Sequence, residues 1–595
     1  MFYGETDAYI GRCAYVVIAM ALLWVTEAIP IPVTALIPVV MFPALSILTA
    51  TDVANSYMGN TSLLFIGGLL VAIAVEESGL HRRVALGVLK FVGSEPKWIM
   101  LGLMIPTWFL SMWISNTATA SMMVPIVEAV LVQLRTAYKP TSEQSEDAVT
   151  RTTGFSRSMS QESSNLSSVD LQVSDDTDVT KTQVNGVANK HVSVEISKEA
   201  DPEDNESDDV SSDVDLTEEE AVAHQRLCKG LSLSIAYAAN TGGIATLTGT
   251  PPNLVFSGQA DLYFKKYGGE SGVTFLRWMI MAFPLSLMML ILCWLWLTAI
   301  FLRGSCKKQP KETSNAVKRV IQNEYKRLGK ISFAEIETLI CFILVALLWL
   351  SREPKFVAGW SDLFHNGYMS DSTAAVAVSL LFFVLPQGKP TIFCWRYRAG
   401  IKQKPSYTPL LTWQVAQAKM PWGIIILLGG GFALAKGCKF SGLSDWFGDQ
   451  LTAFESLDPW LINLVICVAV AMATEITSNT ATATLLMPIM AELSLRLNVN
   501  PLYFMSSAAL ATSFAFMMPV ATPPNAIVFS HGHLKISDMA AAGAMMNVIA
   551  VVCLCLCVNT WGDAVFSFTE IPAIFNITNG TVAASDLRML TQTES

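Results

Sequence analysis

Ser115-Asn-Thr-Ala-Thr-Ala120 recurs as Ser478-Asn-Thr-Ala-Thr-Ala483, 363 residues later, and the reading of this pair decides the fold. Pro125 and Pro488 follow at the same offset, and Ser78-Gly79-Leu80 stands 363 positions before Ser441-Gly442-Leu443. A second duplicated motif, Thr250-Pro-Pro-Asn253 and Thr522-Pro-Pro-Asn525, is offset by 272. The two offsets differ by 91 residues, close to the length of one acidic insertion in the first copy. Chance repeats do not keep register from one element to the next, so the chain reads as two related halves.

The sequence around these motifs is apolar. Of 595 residues, 52% are hydrophobic and 15% charged, whereas a soluble domain carries about 25% charge. The stretch from Trp278 to Leu302 contains no Asp, Glu, Lys, Arg or His and is long enough to cross a hydrocarbon core of about 30 Å. Apolar spans are expected near 12–29, 32–50, 61–77, 229–263, 275–302, 335–350, 371–387, 420–436, 503–530 and 537–565. Stretches 98–134 and 460–497 are interrupted midway by polar residues, which suits two half-crossings each. In lipid every backbone polar group must be satisfied internally, so these segments read as helices, barrel strands being shorter and alternating. The fold class is therefore an all-α polytopic membrane protein.

Charge is unevenly distributed. Residues 141–220 carry 21 acidic and 5 basic side chains, a balance of −16 against −10 for the whole chain. That segment is too poor in apolar residues to offset its ordering entropy and reads as a disordered loop with phosphorylatable serines. Nine Lys and Arg side chains in 303–330, and five more in 389–404, mark those connections as cytoplasmic. Counting spans from them puts the acidic loop inside and the C-terminal tail outside, where Asn576 and Asn579 are glycosylation acceptors. No signal peptide is read, and segment 12–29 is expected to serve as the insertion signal. The eleven cysteines show no metal-ligand spacing, the six histidines are scattered, and His533, near the second Thr-Pro-Pro-Asn motif, has no companion ligands. No hydrolase or zincin constellation appears in the apolar segments, so an enzyme is not expected.

An odd number of crossings between equivalent points gives the halves inverted topology. Inverted repeats with interrupted helices are a transporter plan, with the site at the bilayer midplane. A half-helix starting inside the membrane offers N–H groups and partial positive charge to an anion, while unwound carbonyls suit Na⁺. Ser, Asn and Thr add hydrogen bonds without a permanent buried charge. Two successive prolines remove two N–H donors and interrupt a span. Glu27, Glu76 and Glu475 are acids at membrane depth; Glu475 is expected to brace the second turn by hydrogen bonding. Gly67-Gly68 and Gly429-Gly430-Gly431 allow close helix packing, and Lys436 is expected to snorkel.

Trp24-Val-Thr-Glu-Ala28, Ser111-Met-Trp-Ile-Ser-Asn-Thr117, Ile244-Ala-Thr-Leu-Thr-Gly-Thr250, Leu428-Gly-Gly-Gly-Phe-Ala-Leu-Ala435 and Pro519-Val-Ala-Thr-Pro-Pro-Asn-Ala526 resemble the divalent anion:sodium symporters, solute carrier family 13. The resemblance runs from about residue 12 to residue 565, apart from the acidic loop. It implies a homodimer in the plasma membrane whose protomers combine a scaffold with an elevator-type transport domain carrying two re-entrant hairpins and two broken helices. The implied first Na⁺ site is Ser111, Ser115, Asn116 and Gly249; the second is Thr474, Asn479 and Ala521. Substrate carboxylates are implied at Asn116, Thr117, Thr250, Asn479, Thr480, Thr522 and Pro523. Arg352 and Asp371 resemble positions that affect transport.

On this basis residues 1–97 are scaffold spans, 98–135 the inward hairpin, 136–228 the acidic cytoplasmic loop and 229–302 a broken helix with its following span. Residues 303–334 form the basic connection, 335–458 further scaffold, 459–565 the outward hairpin, second broken helix and last span, and 566–595 the extracellular tail. The implied activity is sodium-coupled symport of di- and tricarboxylates, succinate-like anions ahead of citrate. Partners are those anions, Na⁺ and the bilayer, with no nucleic acid. The alternatives are sulfate as cargo and an uncoupled anion channel. Gly59-Asn60 departs from the Lys-Asp pair often found there, and the chain begins where the family's second span lies.

Overall fold

The computed structural model describes residues 5–91, 95–137, 218–302, 319, 321–353, 358–365, 367–388, 408–443, 446 and 457–576. In chain order the first helices are α1 (Glu5–Thr26), α2 (Ile31–Thr34), α3 (Ile37–Ala44), α4 (Ala50–Tyr57), α5 (Asn60–Glu77), α6 (Leu80–Phe91), α7 (Pro96–Ser111) and α8 (Asn116–Ala137). Then come α9 (Glu218–Gly243), α10 (Pro251–Lys266), α11 (Phe275–Phe301), α12 (Phe333–Ser351), α13 (Asp371–Val384), α14 (Trp413–Lys419) and α15 (Trp422–Phe440). The last are α16 (Pro459–Ala473), α17 (Asn479–Arg496), α18 (Pro501–Ala511), α19 (Pro523–Ser530), α20 (Ile536–Val558), α21 (Trp561–Phe566) and α22 (Ala573–Asn576). Among the described residues the only extended pairing is an isolated bridge between Pro386 and Pro409.

Helix boundaries keep the two offsets seen in the motifs. Adding 363 to the starts of α7 and α8, Pro96 and Asn116, gives Pro459 and Asn479, the starts of α16 and α17. Adding 272 to Pro251 of α10 gives Pro523 of α19. After α5 and α15 the chain turns at Gly79 and Gly442 with φ of +75° and +78°, a left-handed conformation that glycine adopts without a Cβ clash.

Among the described residues six segments are long and apolar enough to cross a membrane: Ala8–Thr26, Ala50–Glu77, Phe275–Phe301, Phe333–Ser351, Trp422–Phe440 and Ile536–Val558. Along α11 the outward face carries Ile280, Phe283, Leu287, Ile291 and Leu295, while Trp278, Met281, Leu285 and Met289 are buried. A helix facing water would be polar on its outer side, so this apolar stripe specifies hydrocarbon as the solvent. The interior is built by α7 on α9, α5 on α13, α17 on α18 and α9 on α11.

Two expectations are corrected by these boundaries, and one helix is added. The span expected at 32–50 is the short pair α2 and α3, each opening with proline in its first two positions, which restarts the helix because proline cannot donate to a preceding turn. The helix expected from 229 begins at Glu218, so residues 218–228 are helical and do not belong to a loop; their acidic and alanine residues are good helix formers that hydropathy passes over. Amphipathic α6 has no counterpart among the apolar spans because its polar face lowers the mean; its Arg83 pairs with Glu335 at 2.9 Å and donates to the Gly329 carbonyl at 3.1 Å. Residues 138–217, the bulk of the acidic loop, and Asn579 lie outside the described residues.

Candidate ion and anion site

Helix α7 ends at Ser111, and after the turn 112–115 α8 begins at Asn116. Ser111 Oγ lies 2.6 Å from Asn116 Oδ1 and 2.7 Å from the carbonyl oxygen of Ala239 on α9. The second copy repeats this arrangement: Thr474 Oγ1 lies 2.6 Å from Asn479 Oδ1 and 2.7 Å from the Thr512 carbonyl oxygen. A hydroxyl has one proton, so it can serve only one of the two acceptors. Each cluster is therefore left with a surplus of oxygen lone pairs turned on one another, the donor set that a hard cation favours. A Cβ at Gly243 would lie 2.5 Å from Asn116 Oδ1, so only glycine leaves room for this side chain.

The breaks behind the turns are also duplicated. Between α9 and α10, Asn253 Nδ2 donates toward the carbonyls of Gly243 (3.3 Å), Ile244 (3.4 Å) and Thr246 (2.8 Å). Between α18 and α19, Asn525 Nδ2 donates to Ala515 (3.1 Å) and Met518 (3.0 Å), which stand 272 positions after Gly243 and Thr246. Thr250 and Thr522 precede the paired prolines in extended conformation, and neither side chain caps its helix. The first break is tied to the first turn by Thr246 Oγ1, which donates to the Met112 carbonyl at 2.5 Å.

Glu475 braces the second break. Its carboxylate accepts the N–H groups of Phe516 (2.8 Å), Met517 (3.0 Å) and Met518 (3.1 Å), and Asn547 Nδ2 at 2.8 Å. Four donors spread its charge, which makes a buried carboxylate tenable without a metal partner. The two breaks touch through α9: Asn240 Nδ2 reaches the Ala515 carbonyl (3.3 Å), Thr522 Oγ1 (3.3 Å) and Asn525 Oδ1 (3.4 Å), and Tyr237 OH donates to the Phe516 carbonyl at 3.0 Å.

Of the residues singled out from sequence, Ser111, Thr474, Gly249, Ala521, Thr250, Thr480 and Thr522 are buried, Asn116 and Asn479 half-buried, and Ser115, Thr117 and Pro523 exposed. Among the described residues, Thr117 and Thr480 make no side-chain hydrogen bond to either oxygen cluster, and Ser115 Oγ accepts the N–H of Ala118 at 3.3 Å. Arg352 Nε pairs with Asp371 Oδ1 at 2.7 Å. Glu76 and Glu77 share Lys419 at 2.7 and 2.6 Å, Lys436 pairs with Asp52 at 2.7 Å, and His533 pairs with Glu128 at 2.8 Å. Lys436 thus has an ionic partner and does not simply snorkel. Glu27 is exposed, with φ of +48°. Asn240, Tyr237 and Asn547 escape sequence reading, being single polar residues in apolar helices with no copy at either offset.

Residues 7–568 match the family model described as the sodium:sulfate symporter transmembrane region. The chain is 40% identical to the Na(+)/citrate cotransporter of Rattus norvegicus over 581 residues, covering 96% of this chain and 93% of that protein. It is 41% identical to the Na(+)/dicarboxylate cotransporter 3 of Rattus norvegicus over 575 residues, covering 94% and 90%. Solute carrier family 13 member 1 of Mus musculus is 40% identical over 571 residues, with 95% and 92% covered.

Proposed function

We infer that this chain, which belongs to the sodium:sulfate symporter family, is a membrane transporter that couples the entry of a carboxylate anion to Na⁺ across the plasma membrane. Family and relatives are transporters and not enzymes, and the relatives named above include a Na(+)/citrate and a Na(+)/dicarboxylate cotransporter. The observation that carries the reading is the duplicated hydroxyl between two acceptors, Ser111 with Asn116 and Ala239, and Thr474 with Asn479 and Thr512.

In this reading Na⁺ at the first break is held by Ser111, Ser115, Asn116 and Gly249, and at the second by Thr474, Asn479 and Ala521. Sodium in each cluster gives both acceptors a cation on which to turn their lone pairs, and the bound charge draws in the carboxylate. The anion is met by Asn116, Thr117, Thr250, Asn479, Thr480, Thr522 and Pro523, with the starts of α8, α10, α17 and α19 adding partial positive charge. The halves are inverted, the helix-turn-helix pairs α7–α8 and α16–α17 are re-entrant hairpins, and residues 98–135, 229–302 and 459–565 move as one body against a scaffold in a homodimer. The acidic loop is cytoplasmic, and Asn576 and Asn579 lie outside as glycosylation acceptors.

Succinate-like dicarboxylates are the favoured cargo, ahead of citrate and then sulfate, on the Gly249-Thr-Pro-Pro-Asn253 and Ser478-Asn-Thr480 motifs. Labelled succinate uptake into cells expressing the protein is expected to collapse when choline replaces sodium; undiminished uptake overturns the coupling. Competition by succinate, citrate, glutarate and sulfate with sodium varied ranks the cargo, and sulfate as the strongest competitor overturns the carboxylate assignment.

A further inference from the structure

We propose that the apolar cavity beside the first turn binds a small lipid-soluble molecule carrying a single hydrogen-bond acceptor, an aryl ketone being the simplest example. The cavity has a volume of about 220 Å³ and is walled by Val71 and Val75 of α5, Trp113 and Ile114 of the turn, and Phe342 and Val345 of α12. An apolar cavity of about 150 Å³ stays dry and admits benzene, so this one has room for a larger aromatic body. Water is a poor occupant because it needs two to four polar partners, and besides Trp113 the polar residues of the wall are Thr248 and His81, whose Nδ1 is already 3.2 Å from the Val75 carbonyl oxygen.

Trp113 supplies the polar requirement. Its indole Nε1 is buried with no hydrogen-bond partner in the protein, while its ring is fixed edge-on to Phe342 at 5.0 Å and parallel to Trp349 at 6.5 Å. An indole N–H is a donor only, so the missing complement is an acceptor such as a carbonyl oxygen. Phe109 and Ile343, also in the wall, are 40% and 46% exposed on an apolar surface, which opens the cavity toward the hydrocarbon and makes the bilayer the source of the ligand.

The cavity abuts the first break. Thr248 forms part of the wall, and a Cβ on Gly68 of α5 would stand 3.2 Å from Thr248 Cγ2. An occupant therefore touches α5 and α12 on one side and the turn and break on the other. Its binding stands apart from the symport reading; a consequent slowing of uptake rests on that reading.

Benzophenone is both an aryl ketone and a photolabel, and serves as the probe on the full chain in lipid nanodiscs. Irradiation followed by peptide mapping is expected to give saturable labelling confined to segments 68–84, 109–114 and 339–349, displaced by excess acetophenone. Trp113→Phe, which keeps a ring and loses the donor, is expected to weaken labelling three- to tenfold. Ala72→Phe and, as a second filling variant, Val345→Phe are expected to abolish it, with melting curves identifying folded samples. Non-saturable labelling spread over the outer faces of α11 and α20 overturns the proposal, as does unchanged affinity in Trp113→Phe. Labelling is read without transport, so a failure of sodium-dependent uptake overturns the symport reading and leaves this result standing.

Discussion

At Ser111 and at Thr474 one hydroxyl proton faces two oxygen acceptors, and the amide oxygen in each cluster belongs to an asparagine that begins a helix. Asn116→Ala and Asn479→Ala are each expected to abolish sodium-dependent uptake with surface expression retained; wild-type kinetics in both, measured with labelled succinate, removes the site assignment. Glu475 acts differently, since its carboxylate accepts three backbone N–H groups and the Asn547 amide. Glu475→Ala leaves three N–H groups at the second break without their acceptor, each costing about 1–3 kcal/mol, so the purified variant is expected to melt several degrees lower even in saturating sodium. An unchanged melting curve removes the bracing role. The asparagines were legible because they are duplicated in register. Asn240 was not, since position 512, its counterpart at the 272 offset, is threonine.

The interruptions between α9 and α10 and between α18 and α19 fall where the sequence places paired prolines, because an imide nitrogen has nothing to donate to the preceding turn. The starts of α9 and α6 were illegible for the opposite reason: hydropathy registers transfer to lipid and is blind to polar residues that form good helix. Between α12 and α13, Arg352 and Asp371 are joined at 2.7 Å with side chains 14% and 10% exposed. The Asp371 carboxylate also receives the N–H of Phe275 at 3.4 Å, so this pair fixes the start of α11 as well. Removing one partner of a buried pair costs about 3–5 kcal/mol. Arg352→Gln and Asp371→Asn are each expected to lower surface expression sharply, while the double variant loses less than the two single losses combined. Additive losses, read by surface biotinylation, show the pair to be uncoupled.

The molecule as a whole turns apolar side chains outward along α11 and gathers its polar motifs at two interior breaks, an arrangement that hydrophobic composition alone foretells only in outline. Composition identified lipid as the solvent; the repeat located the breaks; neither could show that the breaks share a hydrogen-bonded partner. An electrogenic cycle gains about 2.3 kcal/mol for each net charge moved through 100 mV, so substrate-evoked inward current is expected to grow with hyperpolarisation under voltage clamp, and uptake with no substrate-evoked current at any voltage shows an electroneutral cycle. Asn240 belongs to one half, and all three of its acceptors belong to the other. An ion settling in either break must therefore tug on the frame of its twin, and free-energy linkage obliges the twin to return the same influence. Sodium titrations should accordingly rise more steeply than a simple hyperbola, with a Hill coefficient above one, and Asn240→Leu should relax the curve toward independence: two ledges cut from one beam cannot be loaded separately.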